Sequence, residues 1–135
     1  MGEGRSVMVY LDASALVKLF RAEPESAALR RYLAAGTGLG SAEILHVEAV
    51  CVARRLGARF LAGAHAALVR VDLIPFSAHV RDLATAPHRP GLAALDAIHL
   101  GTALSIRERL DALVTYDRSL AQAATAHGLP VAAPA

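Results

Sequence analysis

Five consecutive apolar residues at 7–11, closed by Asp12, predict a strand buried on both faces, since no polar position interrupts them. Helical sequence follows over 14–22, and Pro24 suits the first turn of a second helix over 25–34. A turn at 36–40 leads into a short strand or extended segment near Ser41. From 43 to 56, Ile44, Val47, Val50 and Cys51 recur at helical spacing, and Gly57 punctuates the helix. Another helix over 58–70 runs into a strand candidate at 71–74, stopped by Pro75. Ser77 can cap a helix to 84, residues 87–91 read as a loop, and a long helix over 92–108 carries Asp96 and His99. Residues 112–115 form a third strand candidate, Asp117 opens a helix to 127, and 129–132 is a last short strand. Strands alternating with helices predict an α/β sandwich around a short, mostly parallel sheet. No repeat or linker divides the pattern, so 1–135 reads as one domain.

Composition adds little to this and removes some alternatives. The chain has 135 residues, 55% of them hydrophobic, yet no apolar run approaches the roughly 18 uncharged residues of a membrane span. No long apolar segment or small-residue cleavage site follows the first charged residues, so a secretory signal is not expected. The lone Cys51 excludes an internal disulfide framework, which fits a reducing cytoplasm. In its apolar helical setting it reads as a small buried hydrophobe rather than a nucleophile. Net charge is only +2, and Lys18 is the only lysine among 14 basic residues. An arginine bias suits phosphate recognition and equally suits a genome's composition, so the charge permits a nucleic-acid substrate without demonstrating one.

The carboxylates are more informative. In Val9-Tyr10-Leu11-Asp12 and in Leu113-Val114-Thr115-Tyr116-Asp117, an apolar strand ends in or just before an aspartate. Ligands of open parallel sheets bind outside the carboxyl ends of the strands, where two such residues can converge. Each alone also fits a helix N-cap. Glu48 and Asp96 weaken that reading, because both stand in apolar company with no lysine or arginine within a turn. Positions 44 and 52 beside Glu48 are Ile44 and Val52; those beside Asp96 are Leu92 and Leu100. Burying an unpaired carboxylate costs several kcal/mol, roughly, so something else must neutralise the charge, and a divalent cation does so directly. An all-oxygen donor set suits Mg²⁺ or Mn²⁺, and a water on such an ion is activated for phosphodiester hydrolysis.

Four segments together resemble the PIN-domain family, and within it the VapC-type toxins of bacterial toxin–antitoxin pairs. They are Tyr10 through Lys18, Ser41 with Glu48, Leu95 through Leu100, and Leu113 through Asp117, in the family's order across nearly the whole chain. The resemblance implies a three-layer α/β/α sandwich and Mg²⁺- or Mn²⁺-dependent cleavage of RNA. It also implies inhibition by a cognate antitoxin whose tail covers the pocket. By the same resemblance Asp12 and Asp96 are the main metal-contacting carboxylates and Asp117 a further or water-mediated one. Glu48 would position or deprotonate the attacking water, while Ser14 and Thr115 would be polar supports. Residues 1–6 depart from the family, which usually starts almost at the first strand, and read as a disordered leader or a misplaced start.

Other residues are set aside. His99 can face the same side as Asp96, and a buried, hydrogen-bonded histidine is the stronger reading over a metal ligand. The remaining histidines show no ligand spacing, and Arg54, Arg55 and Arg59 fit a solvated helix face as well as an RNA contact. Two other functions stay in view: a non-catalytic interaction protein on the same fold, and phosphotransfer on Asp12. The second wants an acidic neighbour, absent from Asp12-Ala13-Ser14, and a later lysine, absent after Lys18. The alanine- and leucine-rich helices over 25–34 and 58–70 are expected to expose apolar surface for a homodimer and an antitoxin groove.

Overall fold

Strand β1 (Met8–Leu11) sends alternate side chains to opposite faces, and two separate cores form around them. Val9 and Leu11 join one cluster, while Tyr10 joins the other. The computed structural model describes residues 7–88 and 91–135; the expected leader 1–6 and part of the 87–91 loop lie outside the described residues. Among the described residues, β1 lies at the centre of a five-stranded sheet. Its partners are β2 (Gly38–Ala42), β3 (Val71–Ile74), β4 (Leu110–Val114) and β5 (Val131–Ala132). The order is β3-β2-β1-β4-β5, with all pairings parallel.

On the Val9 face pack α1 (Ala13–Phe20), α2 (Ser26–Leu33), α3 (Ile44–Leu56) and α4 (Leu61–Val69), through Leu16, Leu29, Leu45 and Leu68 among others. On the Tyr10 face lie α6 (Ala94–Ser105) and α7 (Arg118–Ala126), through Leu100, Leu104 and Leu120, with α5 (Ala78–Ala84) against α6. This is the expected three-layer sandwich. Ser77 caps α5 as expected, accepting from the Val80 amide at 3.1 Å. The expected helix 92–108 is shorter: it stops at Ser105, and a separate turn, Arg107–Arg109, feeds β4. No described helix is long and apolar enough to cross a membrane.

Two expectations on α3 are corrected. Its buried positions are Leu45, Ala49 and Ala53, spaced four apart, whereas Val47 is 55% exposed. Cys51, expected to be a buried hydrophobe, is exposed. It stands two positions past Ala49, roughly 200° round the helix from that stripe. α3 packs against α1 and α4, and its small alanines allow that close approach, so they win the buried face over bulkier residues that look more apolar.

The sheet order places the functional end. Leu11 pairs with Val114, so Asp12 and Thr115 emerge side by side from adjacent strands. After β1 the chain enters α1 on one face, and after β4 it enters α7 on the other. That divergence opens a crevice at the carboxyl ends of β1 and β4, the usual ligand position in open parallel sheets.

Candidate active site

Asp12 follows β1 directly and is 4% exposed. Its Oδ1 accepts from the Ser14 hydroxyl at 2.7 Å and the Ala15 amide at 3.0 Å, and Oδ2 accepts from the Thr115 hydroxyl at 2.5 Å. Burial raises the proton affinity of Asp12, against these hydrogen bonds, which lower it. The supporting hydroxyls are themselves held. Ser14 Oγ accepts from the Tyr116 amide at 2.9 Å, and Thr115 Oγ1 accepts from the Asp117 amide at 3.0 Å. Thr115 therefore ties Asp12 to the start of α7. Asp117 caps that helix, its Oδ1 accepting from Ser119 and Leu120 amides at 2.8 and 3.2 Å. Both aspartates thus serve as N-caps while standing at the crevice; a carboxylate has lone pairs enough for both uses.

The other two acids come from helices. Asp96 lies in the first turn of α6, and its pKa is pushed up to about 6. Partial burial contributes most, followed by the negative charge of Asp117, a hydrogen bond to the Asp117 carboxyl and the charge of Asp12. Asp117 and Asp12, both remote from it in sequence, therefore lie close enough for their charges to act on Asp96. Glu48 joins them through His99, whose Nε2 lies 2.7 Å from Glu48 Oε1. The same imidazole acts electrostatically on both Asp12 and Asp96.

This pairing corrects one step of the sequence argument. Glu48 was expected to need a cation because no basic residue lay within a turn of it. His99, 51 positions away, is its partner. For Asp96 the argument stands, since its charged neighbours besides His99 are acids. Tyr10 was missed altogether. Its hydroxyl, fully buried, lies 2.6 Å from His99 Nδ1 and accepts from the Ala42 amide at 3.1 Å. The signal was present in the sequence: a phenol inside a strand buried on both faces must find a polar partner.

The donor chemistry fits a hard divalent cation, being carboxylate oxygen throughout. As the side chains stand, no three acids, histidines or cysteines among the described residues converge into a ready-made ligand shell. Mg²⁺ does not require one, because it is commonly held by one or two carboxylates and keeps several waters. Two histidine pairs lie outside the site, His88 with His127 and His46 with His65. Neither is part of a larger ligand group among the described residues.

Comparison with known proteins shows the family. The PIN-domain model matches residues 9–126. The chain belongs to the PIN-domain family. This PIN domain is 41% identical over 131 residues to a Mycobacterium tuberculosis protein named Ribonuclease VapC35, with 94% of this chain and 97% of the relative covered. It is 39% identical over 126 residues to Ribonuclease VapC46 of the same organism, covering 93% and 97%. Among solved structures, Mycobacterium tuberculosis VapC20, described as a Sarcin-Ricin loop cleaving toxin, matches with a TM-score of 0.70 at 16% identity. That match covers 93% of this PIN domain and 99% of the other chain. VapBC2 from Rickettsia felis, bound to a DNA fragment from its promoter, matches with a TM-score of 0.63 at 15% identity, covering 96% and 100%. These two likenesses concern the fold.

Proposed function

We propose that this chain, acting as one domain over 1–135, is a metal-dependent endoribonuclease and the toxin of a toxin–antitoxin pair. The observation that carries the reading is Asp96, partly buried and set against the charges of Asp117 and Asp12 at the β1/β4 crevice, so that its pKa is pushed up to about 6. Such crowding is unfavourable without a counter-ion and favourable around one. Relatives at 39% and 41% identity that are named ribonucleases support the same reading.

Asp12 and Asp96 would hold Mg²⁺ or Mn²⁺, with Asp117 a further ligand or one acting through water. A bound ion would lower the pKa of its water and offset charge developing at phosphorus. Ser14 and Thr115 keep Asp12 oriented, so that its carboxylate need not reorganise during the reaction. Glu48 is the group to position the attacking water or take its proton.

For the partner, a cognate antitoxin would cover the acidic mouth. Ala42, Ile44, Val47, Ile74, Phe76 and Ile98 line an apolar cleft of about 430 Å³ beside it. Val47 precedes Glu48 on α3 and Ile98 precedes His99 on α6, so an apolar antitoxin side chain seated there would lie beside the site. The outer side of α2 carries exposed Arg30 and Arg31 and offers less apolar surface than its composition suggested. Tyr32 of α2 and Val69 of α4, 37% and 85% exposed, remain as apolar groups for a homodimer. We expect sedimentation to give a dimer at micromolar concentration; monomer alone would count against it. Activity on cellular RNA would be exerted in the cytoplasm, in keeping with the lone Cys51.

The test is cleavage of total cellular RNA by the purified, partner-free chain. Discrete fragments are expected with Mg²⁺ or Mn²⁺ and none with EDTA. Intact RNA under conditions where calorimetry shows metal bound would favour an interaction protein on the same fold.

A further inference from the structure

We propose that His99 is a positioning residue for Glu48, fixed from behind by Tyr10, so that a buried tyrosine–histidine–glutamate chain aims the group that handles the attacking water. This rests on the ribonuclease reading of the same site.

His99 is 2% exposed and its two ring nitrogens are both engaged, Nδ1 at 2.6 Å from the Tyr10 hydroxyl and Nε2 at 2.7 Å from Glu48 Oε1. The Tyr10 and His99 rings meet edge to face at 85°, with centroids 5.7 Å apart. Tyr10 in turn receives the Ala42 amide, so the chain begins on the backbone of β2 and ends on the side chain of α3. Burial raises the proton affinity of the Tyr10 hydroxyl strongly, which keeps it neutral.

The direction of the last hydrogen bond follows from donor chemistry. An ionised glutamate only accepts, so Nε2 must carry a proton and donate to it. This holds for a neutral imidazole, with Tyr10 donating to Nδ1. It holds equally for an imidazolium, with Nδ1–H donating to the tyrosine oxygen. Either way Oε1 is tied, while Oε2 has no protein partner among the described residues and Glu48 keeps 15% of its side chain exposed. A glutamate with three free torsions would otherwise sweep a wide arc at the mouth; tied by one oxygen, it presents the other in one place. A leucine could fill the space of His99 and could not do this.

The inference is tested with His99→Leu and His99→Gln, beside nitrogen-15 NMR of the His99 ring in the intact chain. Leucine removes the donor, whereas the glutamine amide can place an N–H near the position of Nε2. With metal supplied, His99→Leu should lower kcat about 10- to 100-fold, as loss of supporting partners does at metal sites, with KM nearly unchanged. His99→Gln should recover much of that loss although both variants give up the imidazole. The ring spectrum of the parent should show Nε2 protonated, and Glu48→Gln should shift that nitrogen's resonance. Wild-type kcat in His99→Leu would overturn the proposal, as would equal impairment of both variants in proportion to lowered melting temperatures. A bare Nε2 in the parent would overturn it whatever the enzymology. If instead the parent cleaves no RNA while Nε2 is protonated and responds to Glu48→Gln, the ribonuclease reading fails and the catalytic purpose of the chain fails with it.

Discussion

Asp96→Asn should abolish RNA cleavage and yet leave the metal-free protein more stable than its parent at neutral pH. Asp96 has its pKa raised from 3.8 to about 6 in the fold. A carboxyl whose folded pKa lies above its unfolded value binds its proton more tightly when folded. Its contribution to stability is therefore fully present below pH 3.8 and is lost as pH rises towards about 6. Above that, the ionised carboxylate opposes folding, because it is partly desolvated and Asp117 and Asp12 repel it. Asparagine carries no charge at any of these pH values, so the variant escapes the loss. Thermal melts in EDTA at pH 5 and pH 7 should show the parent falling further between the two than the variant does. Asp12, whose proton affinity is also raised, is present in both and leaves a residual slope. Adding Mg²⁺ should reverse the order, since ligand binding stabilises the parent and the variant has lost a donor. Cleavage should drop by at least about 100-fold, beyond the 10- to 100-fold typical of supporting residues. Equal pH slopes for parent and variant would show that Asp96 is not crowded in solution, and with that the central argument for a cation site would be lost.

Asp12 and Asp117 were legible because each mechanism is local: an apolar strand ends, a carboxylate follows, and a helix starts. Ser77 and the strand Val71–Ile74 stopped by Pro75 were legible for the same reason. What the pattern could not give was anything set by packing across the sheet. The strand order β3-β2-β1-β4-β5 depends on which face each crossover chooses. The buried face of α3 went to Leu45, Ala49 and Ala53 because small residues allow close approach, which a count of apolar positions does not weigh. The Glu48–His99–Tyr10 chain spans separations of 51 and 89 positions, so no window along the sequence contains it. Glu48 and Asp96 could be flagged as acids needing a partner. Only the fold says that one has a histidine and the other has more acids.

Gly101→Ala should destabilise the protein although alanine is the better helix former. Gly101 is buried in α6, where helix propensity alone would make alanine more stable by about 1 kcal/mol. A Cβ added there would lie 2.7 Å from the Ala84 backbone nitrogen, and 2.9 Å from both Ala84 Cα and Cβ. These are distances at which α5 and α6 must separate, and inserting a carbon into a packed seam typically costs about 1–3 kcal/mol. Set against the propensity gain, this leaves a net loss of about 1 kcal/mol, and melting temperature falls by roughly 3–6 °C per kcal/mol for a chain of this size. The consequence reaches the site, because α6 carries both Asp96 and His99; if the helix shifts, catalysis should fall even at temperatures where the variant is folded. A double variant separates the backbone clash from the side-chain one. Ala84→Gly removes the Cβ at 2.9 Å but leaves the closer nitrogen in place. Gly101→Ala with Ala84→Gly should therefore recover little of the lost stability. Full recovery would mean that the seam is set by the Ala84 methyl alone, and an unchanged melting temperature in Gly101→Ala would mean that α5 does not lie this close to α6 in solution.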